Sequence, residues 1–182
     1  MSWIREEESS MNGDSVILGV DPGFHVTGYA ILKKESGKTF LIDCGYLKMR
    51  STQTLSTRVG IFYKFFNEKI IANGVREIAL ETSFLGKNAQ TFLKLGYLRG
   101  VLYLLADQHG QILHEFAPRE VKSAVTGFGG ASKEQVASMV FRLFPRVAEL
   151  GVSVQNDVTD ALAISLCGLW MSGSSLARAM KT

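Results

Sequence analysis

The chain folds around VILGVDPGFHVTGYAILKK, residues 16–34. The apolar start of this stretch, Val16 to Val20, is rich in β-branched residues and predicts a buried strand. The strand ends on Asp21, and Pro22-Gly23 then turns the chain, because proline has no N–H to donate and glycine accepts positive φ. Residues 27–32 predict a second strand that returns beside the first. A carboxylate at the tip of a buried strand is costly to desolvate without a cation or a donor, so Asp21 is a candidate for chemistry. An ordinary Asp-Pro-Gly turn would explain it equally well.

The next part of the chain predicts an antiparallel meander that leads into a parallel strand. A short turn is followed by a third strand, Thr39 to Lys48, and then by a helix over 55–72 with one apolar face. Val75 to Leu80 predicts a further strand, which ends on a second carboxylate, Glu81. A strand reached through a helix usually runs parallel to its neighbour, so Glu81 would meet Asp21 at one sheet edge. Two separately solvated acids are the alternative. The apolar residues of the predicted helix face are Leu55, Val59, Phe62, Phe66 and Ile70.

The helix predicted over Ala89 to Gln108 has two apolar faces, one of which would pack on the sheet. The second face contains Gly96 and Gly100, and each glycine inside a helix costs roughly 1 kcal/mol relative to alanine. Close approach of another helix, from this chain or from a second subunit, would explain both glycines. A fifth strand is predicted over Gln111 to Phe116. The two helix faces comprise Leu95, Leu98, Leu102 and Leu105 on one side, and Leu93, Gly96, Gly100 and Leu104 on the other.

A capping box predicts the start of a later helix. After a short helix from Pro118 that stops at Gly127, Ser132 and Gln135 can exchange capping hydrogen bonds at the start of a helix that runs to about residue 144. Lys133 lies in the first turn of that helix, where the helix dipole disfavours a cation. An anionic partner would explain this lysine, and so would simple solvation.

The last helix is predicted to begin near Asn156 and to run through the apolar residues 161–171. Asp157 and Asp160 are three residues apart, so both side chains lie on one face of this helix. Acids in a first turn are also ordinary capping residues.

The four carboxylates together predict a site for a hard divalent cation. They include no histidine or cysteine, and oxygen ligands of this kind suit Mg²⁺ first and Mn²⁺ second. Two such ions roughly 4 Å apart activate water and stabilise the leaving oxygen in phosphodiester cleavage. By analogy, the order β-β-β-α-β-α-β-α with acids at these places is the pattern of a ribonuclease H-like fold, an α/β fold with a five-stranded mixed sheet flanked by helices.

Length and charge predict one domain with a basic surface. The 182 residues fit a single domain over 15–182, preceded by a disordered acidic leader over 1–14. The leader contains Arg5 and four acids, a net charge of −3, so the remainder has +6 within a chain of formal net charge +3. A basic domain suits a polyanionic partner.

The sequence contains no signal for a membrane or for secretion. No uncharged apolar run reaches about 18 residues, and the leader has no apolar core. Cys44 and Cys167 have neither metal-site spacing nor the number needed for a disulfide framework. We therefore expect a cytoplasmic protein without membrane association.

Four blocks of the sequence, in the same order, resemble the RuvC family of crossover (Holliday) junction endodeoxyribonucleases. The resemblance extends from about Val16 to Gly168 and implies the ribonuclease H-like sheet, with three antiparallel strands followed by two parallel strands. The blocks are ILGVDPGFHVTGY (17–29), ALETSFLGKNAQTFLKLGYLRG (79–100), APREVKSAVTGFGGASKEQV (117–136) and NDVTDALAI (156–164).

The resemblance also implies residue roles and partners. Asp21, Glu81, Asp157 and Asp160 correspond to the catalytic, metal-binding acids of the family. The implied reaction is the Mg²⁺-dependent resolution of four-way DNA junctions by paired, symmetric nicks, made by a homodimer that receives the junction from a branch-migration motor complex. Gly96 and Gly100 would lie at the dimer interface. The residues expected to contact DNA are Phe84, Lys87, Asn88, Arg119, Lys122 and Lys133.

One departure from the family concerns Cys167-Gly168-Leu169-Trp170, where some relatives have histidines. Histidine assistance is therefore not implied for this chain. Three other interpretations remain open. An actin-like ATPase or sugar kinase would need a second lobe, for which 182 residues are too few. A junction-binding protein that does not cut, and another ribonuclease H-like nuclease acting on RNA or on other branched DNA, are the remaining two.

Overall fold

A computed structural model of the chain describes residues 15–82, 89–149 and 152–172. Strands and helices follow one another in the predicted order, and the observed limits lie mostly within two residues of the predicted ones. The limits are β1 Ser15–Asp21, β2 Val26–Glu35, β3 Lys38–Lys48, α1 Leu55–Asn73, β4 Glu77–Glu81, α2 Ala89–Gln108, β5 Ile112–Phe116, α3 Pro118–Thr126, α4 Lys133–Leu143, a 3-10 turn Pro145–Glu149, and α5 Val152–Ser172.

The five strands form one mixed sheet in the order β3-β2-β1-β4-β5. β1 is central; it is antiparallel to β2 and parallel to β4. β2 and β3 are antiparallel, and β4 and β5 are parallel. The predicted sheet, with three antiparallel strands followed by two parallel strands, is confirmed. Val20 pairs with Leu80, so β1 and β4 end side by side, and Asp21 and Glu81 leave the sheet at the same edge.

Helices cover both faces of the sheet. On one face, α1 and α2 bury Phe62, Phe66 and Leu102 against the strands. On the other face, α5 packs across the sheet and is itself flanked by α3 and α4, which bury Val121 and Val140 beside it. No helix within the described residues is long and apolar enough to cross a membrane.

Two glycines allow α5 to approach the sheet closely. A Cβ atom on Gly19 would lie 2.2 Å from Ser165 Oγ, and one on Gly28 would lie 2.0 Å from the backbone oxygen of Asp157. The Ser165 hydroxyl lies 3.0 Å from the backbone oxygen of Ala30 on β2 and 2.8 Å from that of Ala161 in its own helix, and its one proton is shared between the two. Because Gly28 pairs with Asp21, this close packing holds the Asp157 region of α5 against the end of β1.

The buried stripe of α1 differs from the predicted apolar face. Phe62, Phe66 and Ile70 are buried as expected, but the first buried residue is Arg58. Leu55 is 43% exposed, because it lines a groove between α1 and α2 and does not face the core. Spacing alone could not distinguish the groove from the core, since both lie beside the same helix.

The second face of α2 is exposed in the described part of the chain. Leu93 and Leu104 are 56% and 49% exposed. A Cβ atom on Gly96 or Gly100 would meet no described atom of this chain within 4 Å. The first explanation of these glycines, close approach of another helix of this chain, therefore fails for the described helices, and the explanation by a second subunit stays a prediction.

Helix α5 begins at Val152, four residues before the predicted start. Asp157 and Asp160 consequently lie in the second and third turns of the helix. Their interpretation as first-turn capping residues is therefore wrong. The sequence could not show this, because polar residues on the side of a helix have the same composition as a cap. Neither residue is therefore explained by the helix terminus.

Candidate active site

The four predicted acids come together at the end of β1 and β4. Asp21 is the last residue of β1 and Glu81 is the last residue of β4. Asp157 and Asp160 belong to α5, the helix that packs across the sheet. Burial raises the pKa of Asp21 to about 7, and the charges of Asp160, Glu81 and Asp157, in that order, add to the rise. The structure therefore brings Asp21 near enough to the three other predicted acids for their charges to act on it.

The pKa values of two neighbouring acids, Glu81 and Asp157, are raised by the same causes. Burial, followed by the charge of Asp160, raises the pKa of Glu81. Burial and Asp160 likewise raise the pKa of Asp157. Such a site is short of positive charge, and a cation among the acids would reverse every one of these shifts.

Lys133 is bonded directly to one of the four acids. Its Nζ donates to Asp160 Oδ2 at 3.0 Å, and this hydrogen bond raises the pKa of Lys133. The position of a lysine in the first turn of α4 is thus explained by an acid of the same chain. The lysine side chain is 79% exposed, so the ion pair contributes at most about 1 kcal/mol to stability and leaves the ammonium group accessible.

Helix α3 provides two more basic residues on the same side of the site. Lys122 is half-buried and close enough to Glu81 that its charge lowers the pKa of that acid. Arg119 is exposed and lies three residues earlier, which places it on the same face of α3. At the start of α3, Ala117 N donates to the Glu120 carboxylate at 2.6 Å, and at the start of α4, Ser132 and Gln135 exchange hydrogen bonds as predicted.

The donor set fits a hard divalent cation in its chemistry. All four side chains offer carboxylate oxygens, and Asp21 is largely desolvated with no basic residue bonded to it in the described structure. Within the described residues, no three His, Cys, Asp or Glu side chains are grouped around one point as metal ligands would be.

The turn after Asp21 is tied to its surroundings by several bonds. Thr27 Oγ1 donates to the backbone oxygen of Gly23 at 2.8 Å, and a Cβ atom on Gly23 would lie 1.8 Å from the backbone oxygen of Val26. The guanidinium of Arg58 donates to the backbone oxygen of Phe24 and lies 3.7 Å above the centre of its ring. Only glycine fits at position 23, and the turn has little freedom.

The end of β4 is held by a second arginine. Arg99 Nη1 donates to the backbone oxygen of Glu81 at 2.6 Å, and Nη2 donates to the carboxylate of Glu115 on β5. Thr82 N donates to the backbone oxygen of Phe116 at 2.8 Å. Neither Arg58 nor Arg99 was among the residues selected from the sequence. An arginine at a position where the apolar spacing of a helix expects a core residue would have indicated both.

The remaining candidates fall outside this cluster or outside the described residues. Phe84, Lys87 and Asn88 belong to the segment between β4 and α2 that the structure does not describe. In the region that departs from the family, Cys167 and Leu169 are buried in the core, where they cannot take the place of a histidine at the site.

This architecture, with acids on two adjacent parallel strands and on the helix across them, is that of the ribonuclease H-like enzymes. The profile of the family described as crossover junction endodeoxyribonuclease RuvC matches residues 17–168. The chain belongs to this family, and it is accordingly a nuclease of the Holliday junction resolvase class.

Individual relatives support the assignment. The chain is 45% identical over 163 residues to the crossover junction endodeoxyribonuclease RuvC of Chlorobium phaeobacteroides, covering 90% of this chain and 86% of the relative. It is also 45% identical over 159 residues to that of Pelodictyon phaeoclathratiforme, covering 87% and 82%.

Solved structures give the same result. RuvC of Thermus thermophilus in complex with a Holliday junction substrate superposes with a TM-score of 0.76 at 26% identity, covering 87% of this chain and 94% of that chain. The yeast mitochondrial Holliday junction resolvase Ydc2 shares the fold, with a TM-score of 0.65 at 16% identity and coverage of 85% and 78%.

Proposed function

We propose that the protein resolves four-way DNA junctions by paired, symmetric nicks, through metal-dependent hydrolysis of phosphodiester bonds in recombination and repair. The observation that carries this proposal is the desolvated Asp21 carboxyl among three other acids at one sheet edge, with Lys133 and Lys122 beside it. The similarity to a resolvase bound to a Holliday junction supports the choice of substrate.

Asp21, Glu81, Asp157 and Asp160 are the proposed metal ligands, with Mg²⁺ as the preferred ion and Mn²⁺ as a substitute. Two such ions, when bound, would activate a water molecule and stabilise the leaving oxygen. The chain itself supplies rigidity on both sides of the site: β1 and β4 are paired in register, and the Ser165 hydroxyl of α5 lies within hydrogen-bonding distance of β2.

Basic residues next to the acids are proposed to hold the DNA backbone. The side chain of Lys133 is 79% exposed although it is paired with Asp160, so a phosphate can compete for its ammonium group. Arg119 and Lys122 extend the same charge along α3. Phe84, Lys87 and Asn88 follow Glu81 by three to seven residues, and we assign Phe84 to stacking on an unpaired base at the junction centre.

A homodimer is proposed because a two-fold junction needs two active sites with matching symmetry. The exposed apolar face of α2, which contains Gly96, Gly100 and Leu104, is the proposed contact surface. The substrate would be chromosomal DNA in the cytoplasm, delivered by a motor complex that binds and migrates junctions.

The test is cleavage of a labelled four-way junction and of a linear duplex of the same sequence, each with and without Mg²⁺. We expect paired cuts in the junction only, and only with the metal. Asp21→Asn should abolish cleavage while junction binding persists, because the change removes a metal ligand and leaves the basic residues unchanged.

Three results would contradict the proposal in different ways. Cutting of RNA or of other branched DNA in preference to the junction would assign another substrate. Tight junction binding without cleavage at any metal concentration would leave a binding protein. Parallel loss of cleavage and binding in Asp21→Asn would assign Asp21 a role in folding.

A further inference from the structure

Two arginines are the only charged residues that are buried within the described parts of the chain. Arg58 is 5% exposed and Arg99 is 9% exposed. A guanidinium is rarely buried to this extent, because it loses its hydration and must find replacement partners inside the protein. The partners of both arginines therefore indicate what the burial achieves.

Arg58 binds the turn that follows Asp21. Its guanidinium donates to the backbone oxygen of Phe24, stacks on the Phe24 ring, and lies 3.5 Å from Nδ1 of His25. The turn is also bound from β3, where Met49 N donates to the backbone oxygen of His25 at 2.9 Å. These contacts fix the chain three residues beyond the acid, so they limit how far the end of β1 can move.

Arg99 binds the end of β4 directly. Its two terminal nitrogens form a fork between the backbone oxygen of Glu81 and the carboxylate of Glu115. The fork joins β4 to β5 just where both strands end. The positive charge also lies close enough to Glu81 to lower the pKa of its carboxyl group.

Arg58 and Arg99 make equivalent contacts at the ends of two neighbouring strands, β1 and β4. Each projects from a helix on the α1–α2 side of the sheet, and each binds a backbone oxygen at or just after a strand end that carries an acid. The carboxylates of those acids repel each other, and repulsion between charges at strand ends tends to spread the strands apart. A buried guanidinium bonded to the backbone opposes that movement without occupying a ligand oxygen.

We propose that Arg58 and Arg99 are positioning residues, which hold the ends of β1 and β4 so that Asp21 and Glu81 present their carboxylates to a divalent cation at a fixed separation. The proposal rests on the proposed function, in which those acids bind the metal. In the described structure neither arginine bonds to a carboxylate oxygen of the four acids, and both would act through the backbone of an acid-bearing strand end.

The proposal predicts that lysine cannot replace either arginine. A lysine keeps the charge, but its single ammonium group cannot span Glu81 and Glu115 in the geometry of the fork. A lysine at position 58 likewise lacks the flat guanidinium that stacks on Phe24. A residue needed only for its charge would tolerate the substitution.

The test compares Arg58→Lys and Arg99→Lys with Arg76→Lys. Arg76 is exposed and directly precedes β4, at the end of that strand away from the acids, so it is a matched control. Mn²⁺ affinity is measured by calorimetry without DNA, and junction affinity is measured without a divalent cation. Single-turnover cleavage is then followed over a range of Mn²⁺ concentrations.

We expect Arg58→Lys and Arg99→Lys each to weaken Mn²⁺ binding by about 10- to 100-fold, the range usual for residues that orient metal ligands. Cleavage at low Mn²⁺ should fall by a similar factor and recover at high Mn²⁺. Junction affinity should stay within about twofold of the unmodified protein, because buried side chains have no access to a phosphate backbone. Arg76→Lys should match the unmodified protein in all three measurements.

Unchanged Mn²⁺ affinity in both lysine variants would overturn the proposal, and so would a loss of junction affinity equal to the loss of cleavage. Failure of both lysine variants to fold would also overturn it, since the arginines would then serve the fold itself. The calorimetry is independent of the substrate. If the unmodified protein binds Mn²⁺ but cuts no junction, the proposed function fails, and the Mn²⁺ affinities still decide the role of the arginines.

Discussion

Asp21 combines two properties that usually exclude each other: it is largely withdrawn from water, and it belongs to a cluster of acids. Both raise its pKa, to about 7. In the unfolded chain the same carboxyl has an ordinary pKa of 3.8. The folded protein therefore binds the Asp21 proton more tightly than the unfolded chain does, so this residue makes the free energy of unfolding depend on pH.

The sign of the effect follows from the raised pKa. Without divalent cations, the stability contributed by protonated Asp21 is fully present below about pH 4 and is lost as pH rises to about 7, a loss of up to roughly 4 kcal/mol. Urea unfolding in a chelator at pH 5 and pH 8 should show the difference. Asp21→Asn should reduce it, and should be the more stable protein at pH 8. An identical pH dependence in both proteins would contradict the prediction.

Phe84 is the aromatic residue closest in sequence to Glu81, in the segment outside the described residues. A ring that stacks on an unpaired base contributes roughly 1–3 kcal/mol in single-strand binding proteins. We expect Phe84→Ala to slow junction cleavage at least about tenfold and to leave the melting temperature nearly unchanged. The salt dependence of binding should hardly change, because lysines provide the electrostatic attraction. A melting temperature several degrees lower with normal cleavage would instead indicate that Phe84 anchors its loop.

The hydrophobic patterns of the strands and helices predict only part of the site. The acids at the ends of β1 and β4 could be predicted, because parallel pairing follows from the connection through a helix and brings strand ends together. The binding partners of Arg58 and Arg99 could not be predicted, because the break that each arginine makes in the apolar spacing of its helix does not say which strand end it binds. The start of α5 was also missed, since Asp157 and Asp160 resemble a cap in composition and differ from it only in three dimensions.

The close packing of α5 against Gly28 of β2 can be tested by substitution. Gly28→Ala would place a Cβ atom 2.0 Å from the backbone oxygen of Asp157, so α5 must move away and take two acids with it. We expect lower stability and at least about a tenfold loss of cleavage, as a small misplacement of reacting groups is costly. Gly60→Ala is the control: a Cβ atom on Gly60 in α1 meets no described atom within 4 Å, so the change should stabilise the helix by up to about 1 kcal/mol. Equal behaviour of the two variants would show that the α5 contact is not critical.

At the scale of the whole molecule, one face of α2 is an apolar surface that is exposed in the described part of the chain. The outer face of α2 exposes Leu93, Tyr97 and Leu104 around Gly96 and Gly100. The sequence could indicate this surface through its glycines, which fit a close contact between helices. It could not identify the partner, because the packing of a second copy depends on the shape of the whole face.

Light scattering should give about twice the 20.0 kDa chain mass if this face joins two copies. Gly100→Leu should shift the mass towards that of one chain, since a large side chain would separate the helices. Gly60→Leu, on an exposed position of α1, controls for the added leucine. A protein that is monomeric at micromolar concentration and still makes paired cuts would contradict the dimer.

The position of α5 in the chain has a consequence for biosynthesis. The acids are contributed by β1, by β4 and by the last described helix, so a growing chain that has completed all five strands possesses only Asp21 and Glu81. Asp157 and Asp160 join them when α5 packs across β1 and β2, which requires contacts between residues as distant as Ser165 and Ala30. Since domains begin to fold from the N-terminus during translation, the group of four acids is complete only after α5 has left the ribosome.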